Sequence, residues 1–299
     1  MKWKGCIEYR AGGVFCAMNT ENTSGQRVWL ITGCSSGFGA EIARAALAAG
    51  DRVVATARDV SQLSDLAAID ECRVMTLDVT QPAAVASVLK EAHAVWGRLD
   101  VVVNNAGAGL LGALEEANDR EIEACMAVNF FGPLNVMRAA VPLLREGGGG
   151  HIVNISAAAA IANYAGFAIY GAAKAALEAA SESLRAEVAP AGVKVTVVQP
   201  GPFRTEFIGR SLWRTAVVLP EYEGTVGKFA MLLGRMKGRQ PGDPARAAAV
   251  IVEMVRQGRA PMRLVLGKYA VKKVRDTATA RLRELEEFES ESVRADFGA

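Results

Sequence analysis

Tyr170 and Lys174 stand four residues apart in an Ala-rich run, Ile169 to about Val188, in which small and apolar residues recur at helical spacing and no Pro intervenes before Pro190. On a helix, positions four apart share a face, so a phenol and an ammonium would open onto one space. A cation beside a phenol favours the phenolate and lowers its pKa from about 10, making an acid or base usable near neutral pH. The same spacing fits a Lys whose stem lies along a half-buried Tyr, so the pair takes its meaning from the rest of the chain.

A second set of residues could hold phosphate. The apolar run Arg27 to Ile31 meets Thr32-Gly33-Cys34-Ser35-Ser36-Gly37-Phe38-Gly39, and a helical pattern follows through Ile42, Ala46 and Leu47 to Gly50. That order reads as strand, glycine turn, helix. Glycines let the backbone approach a ligand closely, and the free N–H groups at the start of the helix favour an anion. An ordinary Gly-rich βα turn fits the same letters.

Further candidates sit at the ends of successive strands. The strand Arg52 to Thr56 ends in Ala57-Arg58-Asp59, where a dinucleotide fold meets the adenosine ribose: an acid there accepts from the 2′-hydroxyl, and a cation accommodates a 2′-phosphate. Arg58 fits the second role and also fits a solvated surface. A third strand, Arg73 to Leu77, leads to Asp78-Val79-Thr80, and a fourth, Leu99 to Val103, to Asn104-Asn105-Ala106-Gly107. Such residues lie where open α/β sheets bind ligands and are also common turn formers. Asn129 lies among apolar residues, Met126 to Phe131, in a helical stretch from about Asp119 to Leu144 expected to kink near Pro133. A buried amide needs partners, structural or catalytic.

The elements that must position these residues alternate strand and helix. Pro82 starts a helix to about Trp96, Gly147 to Gly150 is a turn, and His151 to Ser156, Val193 to Gln199 and Met262 to Leu266 are three more strands. After Pro200-Gly201-Pro202-Phe203-Arg204-Thr205 comes a mixed segment, Glu206 to Pro244, resembling short lid helices. Lys268 to Phe288 reads as a peripheral charged helix with Leu282, Leu285 and Phe288 in one stripe, and Glu289 to Ala299 as frayed. Residues 1–26 read as a loose tail, with Met18 an alternative start.

At 299 residues, 51% hydrophobic and 22% charged, the chain can bury a sizeable core. A net charge of +2 gives no electrostatic case for nucleic acid or an anionic membrane. No membrane span and no signal peptide are predicted. Cys6, Cys16, Cys34, Cys72 and Cys125 are odd in number and lack metal-type spacing, so no metal site is expected and the thiols read as free, in a reducing cytoplasmic compartment.

Taken in order, Thr32-Gly33-x-x-x-Gly37-x-Gly39, Asp78, Asn104-Asn105-Ala106-Gly107, Asn129, Tyr170-x-x-x-Lys174 and Pro200-Gly201 resemble the short-chain dehydrogenase/reductase family over about residues 27–270. Ala55 to Asp59 and the long C-terminal part look like its 17β-hydroxysteroid and retinol dehydrogenase-like branch. The resemblance implies a single-domain doubly wound Rossmann α/β fold over residues 27–299, with a seven-stranded parallel sheet in the order 3-2-1-4-5-6-7. It implies a glycine turn (Gly33, Ser35, Ser36, Gly37, Phe38, Gly39) on the cofactor pyrophosphate, Asp78 and Val79 at the adenine, and Asn105, Ala106 and Gly107 on the adenosine side. Pro200, Gly201 and Thr205 would lie near the nicotinamide, and Arg58 would select NADP(H) over NAD(H). Tyr170 would exchange a proton with the oxygen of a small apolar ketone, aldehyde or secondary alcohol, Lys174 would lower its pKa and hold the ribose, and Asn129 would anchor a water. Ala172, Ala175, Ala176, Ala179 and Ala180 would permit pairing in a homodimer or homotetramer, or burial against the chain's own sheet.

One position departs from the family. Relatives carry a Ser thirteen residues before the Tyr, where its hydroxyl orients the substrate oxygen, and this chain has Ala157 there, after Ser156. By strand alternation Ser156 should point to the other side. Asn163 or Tyr164 could replace the hydroxyl, a local slip could bring Ser156 round, or the protein could bind NADP(H) as a sensor with little turnover.

Overall fold

The computed structural model describes residues 25–297. The expected N-terminal tail therefore lies outside the described residues, apart from Gly25 and Gln26. The strands are β1 (Val28–Ile31), β2 (Arg52–Ala57), β3 (Cys72–Thr76), β4 (Val101–Asn104), β5 (Gly109–Leu111), β6 (Gly150–Ile155), β7 (Val193–Pro200), β8 (Leu212–Arg214) and β9 (Arg263–Leu266). The helices are α1 (Gly37–Ala48), α2 (Ser64–Ala67), α3 (Pro82–Trp96), α4 (Asp119–Met126), α5 (Gly132–Glu146), α6 (Ala158–Ile161), α7 (Ala168–Val188), α8 (Lys228–Met236), α9 (Pro244–Arg256) and α10 (Lys268–Val293).

Seven strands form one parallel sheet in the order β3-β2-β1-β4-β6-β7-β9, which is 3-2-1-4-5-6-7 when only these strands are counted. Its central strands are apolar at successive positions because helices cover both faces. Alternation sends Trp29 and Ile31 to the layer holding Ile42 of α1 and Ile251 of α9. Val28 and Leu30 go to the layer with Leu89 of α3, Val136 of α5 and Leu177 of α7. Each such fully buried side chain contributes about 1.5–3 kcal/mol. The chain leaves β1 toward β2 on one side and reaches β4 on the other, so a crevice opens at the carboxyl ends of β1 and β4.

The structure differs from the sequence expectations in three places. The stretch expected as one kinked helix is α4, a π turn over Ala127–Phe131, and α5. Asn118 starts it with a capping box, accepting from Glu121 N–H at 3.1 Å while its own N–H donates to the Glu121 carboxylate at 3.0 Å. Residues 119–146 are long and apolar enough, at mean hydropathy 1.2, to cross a membrane. Here Val136, Met137, Ala140 and Leu144 are buried in the core instead. Second, β5 and β8 form a separate two-stranded parallel sheet, which ties the segment after β7 to the one after β4. Third, α10 runs past Phe288 to Val293.

Candidate active site

The glycine turn is built by backbone geometry and one amide. Gly33 (φ +72°) and Gly37 (φ +61°) take left-handed conformations that favour glycine. A Cβ on Gly39 would lie 2.4 Å from both Asn105 Nδ2 and the Gly33 carbonyl oxygen. Asn105 Nδ2 donates to the carbonyls of Thr32 and Gly33 at 2.9 Å each, and the N–H groups of Asn105 and Ala106 donate to Thr32 Oγ1 at 3.0 and 3.1 Å. Asn105 thus staples the end of β4 to the turn. Ser35, Ser36, Gly37 and Phe38 line the adjoining cavity at the N-terminus of α1, and Gly39 lies beneath, outside the lining.

Farther along the cavity, Arg58 follows β2, exposed and without an ion pair or side-chain hydrogen bond among the described residues. Ala57 before it is buried. The neighbouring Asp59 carboxylate accepts from Ser61 N–H (3.0 Å), Ser61 Oγ (2.7 Å) and Gln62 Nε2 (3.0 Å), which holds its pKa below the usual carboxylate value. Asp78 Oδ1 accepts from the N–H and hydroxyl of Thr80 at 2.9 and 2.8 Å, and both Asp78 and Val79 line the cavity.

Tyr170 and Lys174 come from the first turns of α7 and are both buried. The rings of Phe167 and Phe207 lie 5.3 and 5.5 Å from that of Tyr170, and its hydroxyl has no protein partner among the described residues. Lys174 Nζ donates to the Ile155 carbonyl at 2.9 Å. Asn129, at the centre of the π turn, donates from Nδ2 to the carbonyls of Ala108 (2.7 Å) and Cys125 (2.9 Å) and accepts from Ala108 N–H at 3.3 Å. A π turn inside a helix is a recurrent device at functional sites. Gly107 leaves room between these groups: a Cβ there would lie 2.8 Å from Asn129 Oδ1 and 3.3 Å from Lys174 Nζ.

The expected lowering of the Tyr170 pKa by Lys174 is not what the structure gives. Burial pushes the phenol up, with the Cys125 thiol adding to the rise. Burial also brings Lys174 down to about 8, partly offset by Cys125 and Glu178. The physical reason is that helical spacing carries no information on solvent: both groups lie in an apolar layer that disfavours either charge.

Ser156 and Ala157 both line the cavity, but their side chains have different neighbours. Ser156 Oγ donates to Glu178 Oε1 at 2.6 Å, and Gln199 Nε2 holds the same carboxylate at 3.0 and 2.8 Å. Ala157 packs with the aromatic cluster that contains Tyr170 and lines the cavity. Asn163 is committed to the Phe167 carbonyl (3.0 Å) and Tyr164 N–H (2.9 Å) and does not line the cavity. Tyr164 does line it, with its hydroxyl 2.7 Å from that of Tyr269 on α10 and its ring stacked on Phe229 at 5.0 Å.

One cavity of about 1080 Å³ unites these parts with Pro200, Gly201 and Thr205 after β7. Typical small-molecule sites span about 300–1,000 Å³, so the space suits a dinucleotide together with a substrate. Helix N-terminal N–H groups, two serine hydroxyls and a nearby guanidinium fit an anionic cofactor. Sequence reading missed Tyr269 and Arg210, whose Nη2 donates to Ser35 Oγ at 2.8 Å. Both arrive from distant segments with no motif to mark them.

A glycine turn and a buried Tyr–Lys–Asn group thus meet in one crevice of a doubly wound α/β sheet. Comparison with known proteins names the family. A family model described as short chain dehydrogenase matches residues 27–212. The chain is 37% identical over 248 residues to "Oxidoreductase BOA17" of Botryotinia fuckeliana, covering 82% of this chain and 90% of that one. It is 34% identical over 244 residues to a 3-ketodihydrosphingosine reductase of Bacteroides thetaiotaomicron, covering 81% and 88%. A short-chain dehydrogenase structure from Streptomyces avermitilis superposes with a TM-score of 0.85 at 43% identity, covering 91% of this chain and all (100%) of the other. A structure from Burkholderia phymatum in complex with NAD shares the fold at a TM-score of 0.74 and 23% identity, covering 84% and 92%. The chain belongs to the short-chain dehydrogenase family. It is an oxidoreductase of the kind that acts on CH–OH donors with NAD(P).

Proposed function

We propose that the protein is an NADP(H)-linked oxidoreductase for a small apolar ketone, aldehyde or secondary alcohol, with Tyr170 as general acid and base. The observation that carries this reading is the meeting of Tyr170, Lys174 and Asn129 with the glycine turn in one cavity. The cofactor, when bound, supplies or accepts a hydride at its nicotinamide. The turn from Gly33 to Gly39 and Thr205 hold it, Asp78 and Val79 border the adenine, and the unpartnered Arg58 favours the 2′-phosphate form. Tyr170 gives its proton to the substrate oxygen in reduction and takes it back in oxidation. Lys174, charged below about pH 8, holds the ribose and stabilises the phenolate formed when Tyr170 gives up its proton. Asn129 has its Nδ2 spent on two carbonyls, so it offers a water only acceptor capacity.

Phe167, Phe207, Trp213 and Phe229 on the cavity wall support an apolar substrate, and residues 206–244 act as its lid. The 17β-hydroxysteroid and retinol dehydrogenase-like branch remains part of this reading, on the Ala55 to Asp59 segment and the long C-terminal part. Ala172, Ala175 and Ala179 lie exposed on the outer face of α7. That supports their use in a homodimer or homotetramer over burial against the chain's own sheet. The free, buried thiols of Cys34, Cys72 and Cys125 suit a cytoplasmic setting.

A second reading, an NADP(H)-binding sensor with weak turnover, is favoured by Ala157, which offers the substrate oxygen no donor where relatives have Ser. One experiment separates the two. Purified protein is expected to oxidise NADPH with a panel of apolar ketones and aldehydes, and Tyr170→Phe to lower the rate about 100- to 10,000-fold. Tight NADPH binding without Tyr170-dependent turnover on any member of the panel would establish the sensor instead.

A further inference from the structure

Arg210 reaches over the glycine turn from the segment after β7. Its Nη2 donates to Ser35 Oγ at 2.8 Å and lies 3.4 Å from Ser36 Oγ. Two hydroxyls use little of what a guanidinium offers, because its planar fork matches the oxygens of a phosphate. Among the described residues no carboxylate forms an ion pair with Arg210.

The backbone holds this cation in place. Arg210 N–H donates to the Glu206 carbonyl at 2.9 Å, and the Ser211 carbonyl accepts from Gly109 N–H at 2.8 Å. Leu212 to Arg214 then pair with Gly109 to Leu111. Gly109 follows Ala108, which Asn129 grips through both its N–H and its carbonyl. A continuous set of hydrogen bonds therefore connects the π turn, the small sheet and the guanidinium above Ser35.

We propose that Arg210 binds the cofactor pyrophosphate, joining the N-terminus of α1 as the charged partner of the bridging phosphates. The inference rests on the dinucleotide reading given above. The two exposed cations of the cavity then have separate roles. Arg58, at the end of β2, takes the 2′-phosphate, and Arg210, at the glycine turn, takes the phosphates common to all nicotinamide dinucleotides.

Isothermal titration of the full chain with NADPH, NADH and ADP-ribose tests this, since all three carry the pyrophosphate and NADPH alone carries the 2′-phosphate. Arg210→Gln is expected to weaken all three by about 10- to 100-fold, as for loss of a hydrogen bond to a charged group. Arg210→Lys keeps the charge without the fork and should lose less, and Arg58→Gln should weaken NADPH alone. Arg210 is exposed, so the melting temperature of the ligand-free Arg210→Gln protein should match wild type. Unchanged affinity of Arg210→Gln for all three ligands would overturn the assignment, as would a loss confined to NADPH. Wild-type protein that binds none of them would overturn the dinucleotide reading itself.

Discussion

Ala157→Ser should raise turnover. The residue lines the cavity beside the aromatic cluster of Tyr170, and its backbone (φ −157°, ψ 158°) is extended, a conformation Ser adopts freely. Position 157 is also the N-cap of α6, which now lacks a side-chain cap. A serine Oγ could accept from a free N–H of that turn and still donate its own hydrogen to a substrate oxygen. Supplying the donor is worth up to about 2.7–4 kcal/mol in the transition state, or 100- to 1000-fold in rate. The added cap contributes about 0.5–2 kcal/mol to stability. The assay is NADPH oxidation with the best carbonyl of the panel, repeated with Tyr170→Phe in the Ala157→Ser background, where the gain must vanish. Ser156→Ala is the control: it removes one of the groups holding Glu178, so it should lower the melting temperature more than the rate. No gain from Ala157→Ser, combined with a rate lost in a normally stable Ser156→Ala, would show that Ser156 turns to the substrate and refute this assignment.

Two further predictions concern pH. Because burial raises the Tyr170 phenol, it stays protonated through the neutral range, while Lys174 loses its charge near pH 8. The kcat/KM for carbonyl reduction should therefore be level below about pH 8 and fall above it, and a profile level through pH 10 would exclude a role for the Lys174 charge. Buried His151, with Nε2 2.9 Å from Thr196 Oγ1, has its pKa lowered from 6.5 to about 3, first by burial and then by Lys194, Arg185 and Arg27. The unfolded chain then binds more protons between those values, so this contribution to stability is complete above pH 6.5 and is lost toward pH 3, at up to about 1.4 kcal/mol per pH unit. Thermal melts across that window should show a slope that flattens in His151→Gln, and equal slopes would remove His151 as the cause.

Local pattern in the sequence carried the alternation of strand and helix, the glycine turn and the Tyr170–Lys174 pair, while the strand order and the count that exposed Ala157 came from the family resemblance. The local features are readable because strand period, helix period and turn chemistry depend on near neighbours along the chain. Alternation assigned Ser156 and Ala157 to opposite sides, whereas both line the cavity, and Glu178 as the partner of Ser156 came only from the packing of α7 on β6. The direction of the Tyr170 shift was misjudged because spacing sets which groups share a face, whereas burial by Phe167, Phe207 and the layers around them sets the cost of charge. The β5–β8 pairing, the π turn that aims Asn129 and the reach of Arg210 to Ser35 likewise belong to the tertiary structure. Each joins segments far apart in the chain, through backbone hydrogen bonds and side-chain contacts that leave no periodic trace in the order of residues.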